Sequence, residues 1–192
     1  VWAILLFPVF AQANPGTQDF LEQPLLLGAH RGGALLWPEN TVLAFQEAAR
    51  RWPDILLEAD LRLSADGAVV AIHDATVERT TEAQGAVAAR SLAELQALDA
   101  AYRFTTREGA EFPLRGKGIR IPTLEEVLDA TPHHRFLLEI KDGVEAVAPV
   151  LRILRERNAE ARVILASFKA DVMAHVRAQA PEVKTCYDMQ QG

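Results

Sequence analysis

The chain has 192 residues and a formal net charge of −6. No run of Lys and Arg is long enough to track a phosphate backbone, which argues against nucleic acid as a partner. At 49% apolar and 24% charged residues the composition is that of a globular protein able to build a core, and the single Cys186 excludes an internal disulfide.

Val1 to Phe10 is an apolar run that ends on Ala11-Gln12-Ala13, the pattern of a secretory leader and its A-x-A cleavage site. A buried strand or an uncleaved anchor is the alternative, but the run falls short of the ~20 apolar residues that span a bilayer, so no stable membrane span is expected. Residues 1–13 are therefore read as the remnant of a signal peptide, with 14–192 as the mature domain in a secreted or periplasmic protein.

Leu25 to His30 reads as a first buried strand. Asn40 or Thr41 is the expected N-cap of a helix in which Val42, Phe45 and Ala49 recur at helical spacing. Ile55–Leu61 is a second strand, and an Asp66-Gly67 turn leads to a third at Val69–Ile72. A helix beginning near Pro122-Thr123, a fourth strand at Phe136–Ile140 and a helix over Val144–Arg157 follow. Val163–Ser167 is a fifth strand, a helix covers about Asp171–Gln179, and a sixth strand runs from Val183 to Tyr187. Strands alternating with helices imply parallel pairing, in either an open doubly wound sheet or a (β/α)8 barrel.

Polar residues gather where the apolar strands end: His30-Arg31, Glu58 and Asp60, His73-Asp74, Glu139 and Lys141, and Ser167. Both candidate architectures place ligands at that end. Glu58 and Asp60 are two apart on a strand and so share a face, where two carboxylates repel unless a cation lies between them. Arg62 has the same parity and is one candidate partner. Glu139, at the end of another strand, makes a third acid, and three hard oxygen donors suit Mg²⁺ or Ca²⁺ better than zinc. His30 and His73 are placed to exchange protons near neutral pH. Arg31 and Lys141 bring permanent positive charge suited to phosphate oxygens. Pro38-Glu39-Asn40-Thr41 reads mainly as helix architecture, with a cap and an acid at the positive end of the helix. Together these residues describe phosphodiester hydrolysis by charge neutralisation and acid–base catalysis.

In its motifs the sequence resembles the glycerophosphodiester phosphodiesterase family. The resemblance rests on H-R-G-(x)5-P-E-N-T at His30–Thr41, E-x-D at Glu58–Asp60 and D-G-x-x-V-x-x-H-D at Asp66–Asp74. It continues through R-T-T at Arg79–Thr81, I-P-T-L-E-E-V-L at Ile121–Leu128, E-I-K at Glu139–Lys141 and S-F at Ser167-Phe168. It implies a TIM (β/α)8 barrel that cleaves small glycerophosphodiesters to glycerol 3-phosphate and an alcohol. His30 and His73 would be the acid–base pair, with Glu58, Asp60 and Glu139 on one Ca²⁺ or Mg²⁺ and Arg31 and Lys141 on the phosphate. The same resemblance makes residues 75–120 an insertion near the barrel mouth, where Tyr102, Phe104 and Phe112 could line an alcohol pocket. Such a barrel typically takes ~250 residues, and six strands are countable before Gly192, so the barrel is expected to be truncated after about six strands. A lysophospholipase D-like enzyme and a non-catalytic phosphate-binding module are the competing readings.

Overall fold

A computed structural model describes residues 27–106 and 111–187. The expected signal segment at 1–13 lies outside the described residues. Among the described residues no helix is long and apolar enough to cross a membrane.

The strands are β1 (Gly28–Ala29), β2 (Leu56–Leu63), β3 (Val69–Ala71), β4 (Arg135–Ile140), β5 (Val163–Ser167) and β6 (Lys184–Tyr187). The α-helices are α1 (Val42–Arg51), α2 (Leu92–Gln96), α3 (Leu124–Ala130), α4 (Val147–Glu156) and α5 (Ala170–Gln179). Across the sheet the strands run β1-β2-β4-β5-β6, every neighbouring pair parallel. The order never reverses, as it must in a doubly wound sheet, so the sheet is a partial barrel.

The third strand departs from expectation. β3 pairs antiparallel with β2, Leu61 opposite Ala71 and Leu63 opposite Val69, and stands off the parallel path. The reason is the short connection. Ser64–Ala68 closes with backbone bonds from Ser64 N to Ala68 O (2.9 Å) and from Gly67 N to Ser64 O (3.0 Å), and Gly67 supplies a φ of 79°. A parallel return needs a dozen or more residues. The long segment beyond β3 packs on a small core of its own, which includes Ile72, Val77, Val87, Leu95, Ala100 and Ile121.

Strand parity divides the sheet into two faces. Leu57, Ala59 and Leu61 of β2 and Phe136, Leu138 and Ile140 of β4 face the helices, where Phe45 of α1, Val127 of α3, Leu151 of α4 and Val172 of α5 cover them. The Phe45 and Phe136 rings meet edge to face at 5.9 Å, and both are fully buried; emptying either site to Ala would cost ~3–5 kcal/mol. On the opposite face Leu56, Leu137 and Ile164 form an apolar floor. Above that floor, on the same parity, stand Glu58, Asp60 and Glu139. The helices start where side-chain oxygens can satisfy free amides. Thr41 accepts from Ala44 N at 3.2 Å, while Ser91 and Thr123 close capping boxes with Glu94 and Glu126.

Candidate active site at the carboxyl ends of the strands

After β1 the chain does not run straight into α1. His30–Gly32 makes a tight turn in which Arg31 takes φ 52° and ψ 35°, and Asn40 before α1 takes φ 55°. Two non-glycine residues in left-handed conformations cost ~1–3 kcal/mol each unless neighbours hold them. Neighbours do. Arg31 N donates to Glu58 Oε2 at 2.6 Å, and Arg31 O accepts from Asn40 N at 2.9 Å. Gly32, at φ 76°, lets the turn press against α1: a Cβ there would meet the Ala44 Cβ at 2.9 Å.

Glu58, Asp60 and Glu139 each bring a carboxylate oxygen within 4.8 Å of the others. Glu58 is 6% and Asp60 1% exposed. Burial first, then the Asp60 and Glu139 charges, push the Glu58 carboxyl up to about 8. Burial also raises Glu139, although Lys141 opposes it. Glu139 Oε1 is buried with no hydrogen-bond partner. Crowded, desolvated carboxylates with a free oxygen are what a divalent cation relieves. The three acids fit a hard cation.

The protein's own cations stand beside this cluster. Lys141 Nζ lies 2.6 Å from Glu139 Oε2 and 3.1 Å from Asp60 Oδ1, and Arg31 Nε lies 3.4 Å from Asp60 Oδ2. Asn40 grips Asp60 from both ends: Nδ2 donates to Oδ2 at 2.8 Å, and Oδ1 accepts from Asp60 N at 3.2 Å. Asn40 is thus a site residue rather than the cap, a role that falls to Thr41. Phe168 is 44% exposed, and its ring centre is 5.6 Å from Lys141 Nζ. It offers an apolar wall beside the cations.

The two histidines differ in setting. Burial and the charge of Arg31 lower the His30 pKa, so its imidazole is neutral near pH 7. His73 Nδ1 contacts Asp74 Oδ1 at 2.6 Å. Burial works to raise Asp74, but hydrogen bonds from Arg79 and His73 outweigh it and hold the carboxyl at about 2. An ionised carboxylate can only accept, so His73 Nδ1 carries a proton in this contact. Arg62 steadies the same residue from behind by donating to His73 O at 2.9 Å. Its other end pairs with Asp142 at 2.7 Å rather than with Glu58 or Asp60, because the long side chain reaches past its strand neighbours.

Further residues find defined partners. Glu39, an acid just before α1, also binds Arg31 at 3.1 Å and Arg79 at 2.7 Å. Ser167 turns away from the site, its buried hydroxyl donating to Ile140 O at 2.7 Å. Tyr102 and Phe112 flank Arg115, whose guanidinium carbon lies 4.1 and 3.8 Å from their ring centres. They pack on that cation.

Residues 30–187 match the model of the Glycerophosphoryl diester phosphodiesterase family. A glycerophosphodiester phosphodiesterase of Caldanaerobacter subterraneus is 38% identical over 165 residues, covering 83% of this chain and 64% of that protein. One from Bacillus subtilis is 30% identical over 171 residues, covering 84% and 58% respectively. This chain thus spans roughly three fifths of the length of those relatives. Among solved structures, the glycerophosphoryl diester phosphodiesterase domain of a Mycobacterium tuberculosis protein superposes with a TM-score of 0.76 at 31% identity, over 83% of this chain and 58% of that one. An Oleispira antarctica phosphodiesterase in complex with the product sn-glycerol-3-phosphate also gives 0.76, at 28% identity, over 90% and 68%.

Proposed function

Because the chain belongs to the glycerophosphoryl diester phosphodiesterase family, we propose that its site hydrolyses small glycerophosphodiesters to glycerol 3-phosphate and an alcohol, with the help of one Ca²⁺ or Mg²⁺. The observation that carries this reading is the three-carboxylate cluster with a free buried oxygen on Glu139, flanked by Arg31 and Lys141 and by two histidines in unlike settings. The glycerol 3-phosphate bound to the Oleispira relative is the product this chemistry would release.

The roles follow from the settings. Glu58, Asp60 and Glu139 would hold the cation, which supplies positive charge to the phosphate oxygens. Arg31 and Lys141 bind the phosphate from the protein side. His30, kept neutral by burial and by Arg31, takes the proton from the substrate's own glycerol hydroxyl as that oxygen attacks phosphorus. His73, in its imidazolium form, donates the Nε2 proton to the departing alcohol and keeps its Nδ1–H on Asp74. In the second step the roles reverse: His73 takes a proton from water as it opens the cyclic phosphate, and His30 returns one to the glycerol oxygen. Asn40 keeps Asp60 aimed at the cluster.

The test is a panel of glycerophosphocholine, glycerophosphoethanolamine and lysophosphatidylcholine, followed by release of glycerol 3-phosphate or of alcohol, with and without a chelator. Turnover that survives chelation would exclude the cation. Failure on every glycerophosphodiester would sink the reading. A lysophospholipase D-like activity is the second reading, favoured by exposed apolar side chains at Leu35 (69%), in the loop after Arg31, and at Phe168 (44%) beside Lys141. Preference for the lysolipid would select it. The apolar run and A-x-A site at 1–13 support action outside the cytoplasm, which N-terminal sequencing of the processed protein would check against Asn14.

A further inference from the structure

Arg79 touches none of the residues that would handle the phosphate or the cation, yet it ties both sides of the site together. Its Nε donates to Asp74 Oδ2, and its two terminal nitrogens donate to the two oxygens of Glu39, each at 2.7 Å. Asp74 in turn holds the His73 ring, and Glu39 Oε1 also receives Arg31 Nη1 at 3.1 Å. The chain of contacts therefore runs Arg31–Glu39–Arg79–Asp74–His73, across 40 residues of sequence between Glu39 and Arg79. Only a planar fork can serve two carboxylates in this way, one of them bidentately; an ammonium on a flexible stem cannot. The geometry points to Arg79 as a positioning residue that fixes the His73 imidazole, through Asp74, in the orientation needed to protonate the leaving alcohol.

This assignment rests on the phosphodiesterase reading and deepens it. It has a consequence that simple structural support does not. If Arg79 acts through the proton donor, its loss should matter most when the leaving group needs a proton. A choline leaving group departs as an alcohol and does need one; p-nitrophenolate departs as a stable anion and does not. Loss of support for Arg31 through Glu39 weakens the grip on the phosphate common to both substrates, so it cancels in their ratio.

The experiment compares kcat/KM for glycerophosphocholine and for glycerol phospho-p-nitrophenol in wild type, Arg79→Lys and Arg79→Ala. The choline-to-nitrophenol ratio is expected to fall about tenfold or more in Arg79→Ala, by analogy with removal of an acid catalyst, with Arg79→Lys between the two. A second measurement needs no turnover. The downfield proton signal of His73 Nδ1–H, assigned by its disappearance in His73→Ala, should be present in wild type and broadened by exchange in Arg79→Ala. Equal falls on the two substrates, or an Nδ1–H signal untouched by Arg79→Ala, would overturn the assignment. A wild type inert toward every glycerophosphodiester, with the proton signal behaving as expected, would instead overturn the functional reading and leave this coupling standing.

Discussion

Glu58→Gln separates the cost of the acidic cluster from its use. In the folded, metal-free protein, burial and two neighbouring carboxylates raise the Glu58 carboxyl from 4.5 to about 8. The unfolded chain releases that proton near 4.5, so between the two values the folded state binds more protons than the unfolded one. Stability from this group is fully present below 4.5 and is lost as pH rises through about 8. Glutamine stays neutral, and its amide oxygen can still accept from Arg31 N. The variant should therefore escape a loss on the order of a few kcal/mol. The assay is urea unfolding in the presence of a chelator, wild type against Glu58→Gln, at pH 5 and pH 8.5. The stability difference between the two should grow in the variant's favour with pH. In saturating Ca²⁺ or Mg²⁺ the order should reverse, since only wild type keeps all three carboxylates for the cation. A difference that stays constant from pH 5 to pH 8.5 without metal would refute the reasoning.

Other substitutions probe the remaining parts. His30→Ala and His73→Ala should each lower turnover of glycerophosphocholine by ~10²–10⁴ while leaving the thermal midpoint nearly unchanged; near-normal rates would remove that residue from the proton path. Thr41→Ala should cost ~0.5–2 kcal/mol in chemical denaturation by freeing Ala44 N at the start of α1, and no loss would mean that the cap is idle. Gly32→Ala should be destabilising and should also impair activity, because its Cβ would press on Ala44 and displace the Arg31 turn. A fully active and stable variant would contradict the tight packing seen there.

Much of the site was legible because strand parity is a two-residue rule. Glu58 and Asp60 had to share a face, and the apolar runs around them had to be buried. The side to which each long residue would commit was less legible. Arg62 has the right parity to neutralise the acids, but it reaches forward to Asp142, 80 residues away in sequence. Asn40 was masked by its own helix-capping propensity; its partner Asp60 lies 20 residues on, where no local pattern points. Arg79 was marked by the R-T-T motif, but its tie to Glu39, 40 residues back, follows from no local pattern. The Asp66-Gly67 turn did mark a hairpin, yet alternating strands and helices invite a parallel count, and β3 was swept into it.

The alternation of β2 has a consequence for how this protein fails. A slip of one residue against β4 would swing Glu58 and Asp60 into the layer that α1 and α3 cover, and send Leu57, Ala59 and Leu61 toward solvent and ligand. No version of the sheet can keep its fold and lose its acids to mispairing. Such a molecule would expose its apolar layer, so impairment is expected to show as less protein in the soluble fraction. Abundant soluble protein with a blunted site would count against this. Folding here acts as its own proofreading.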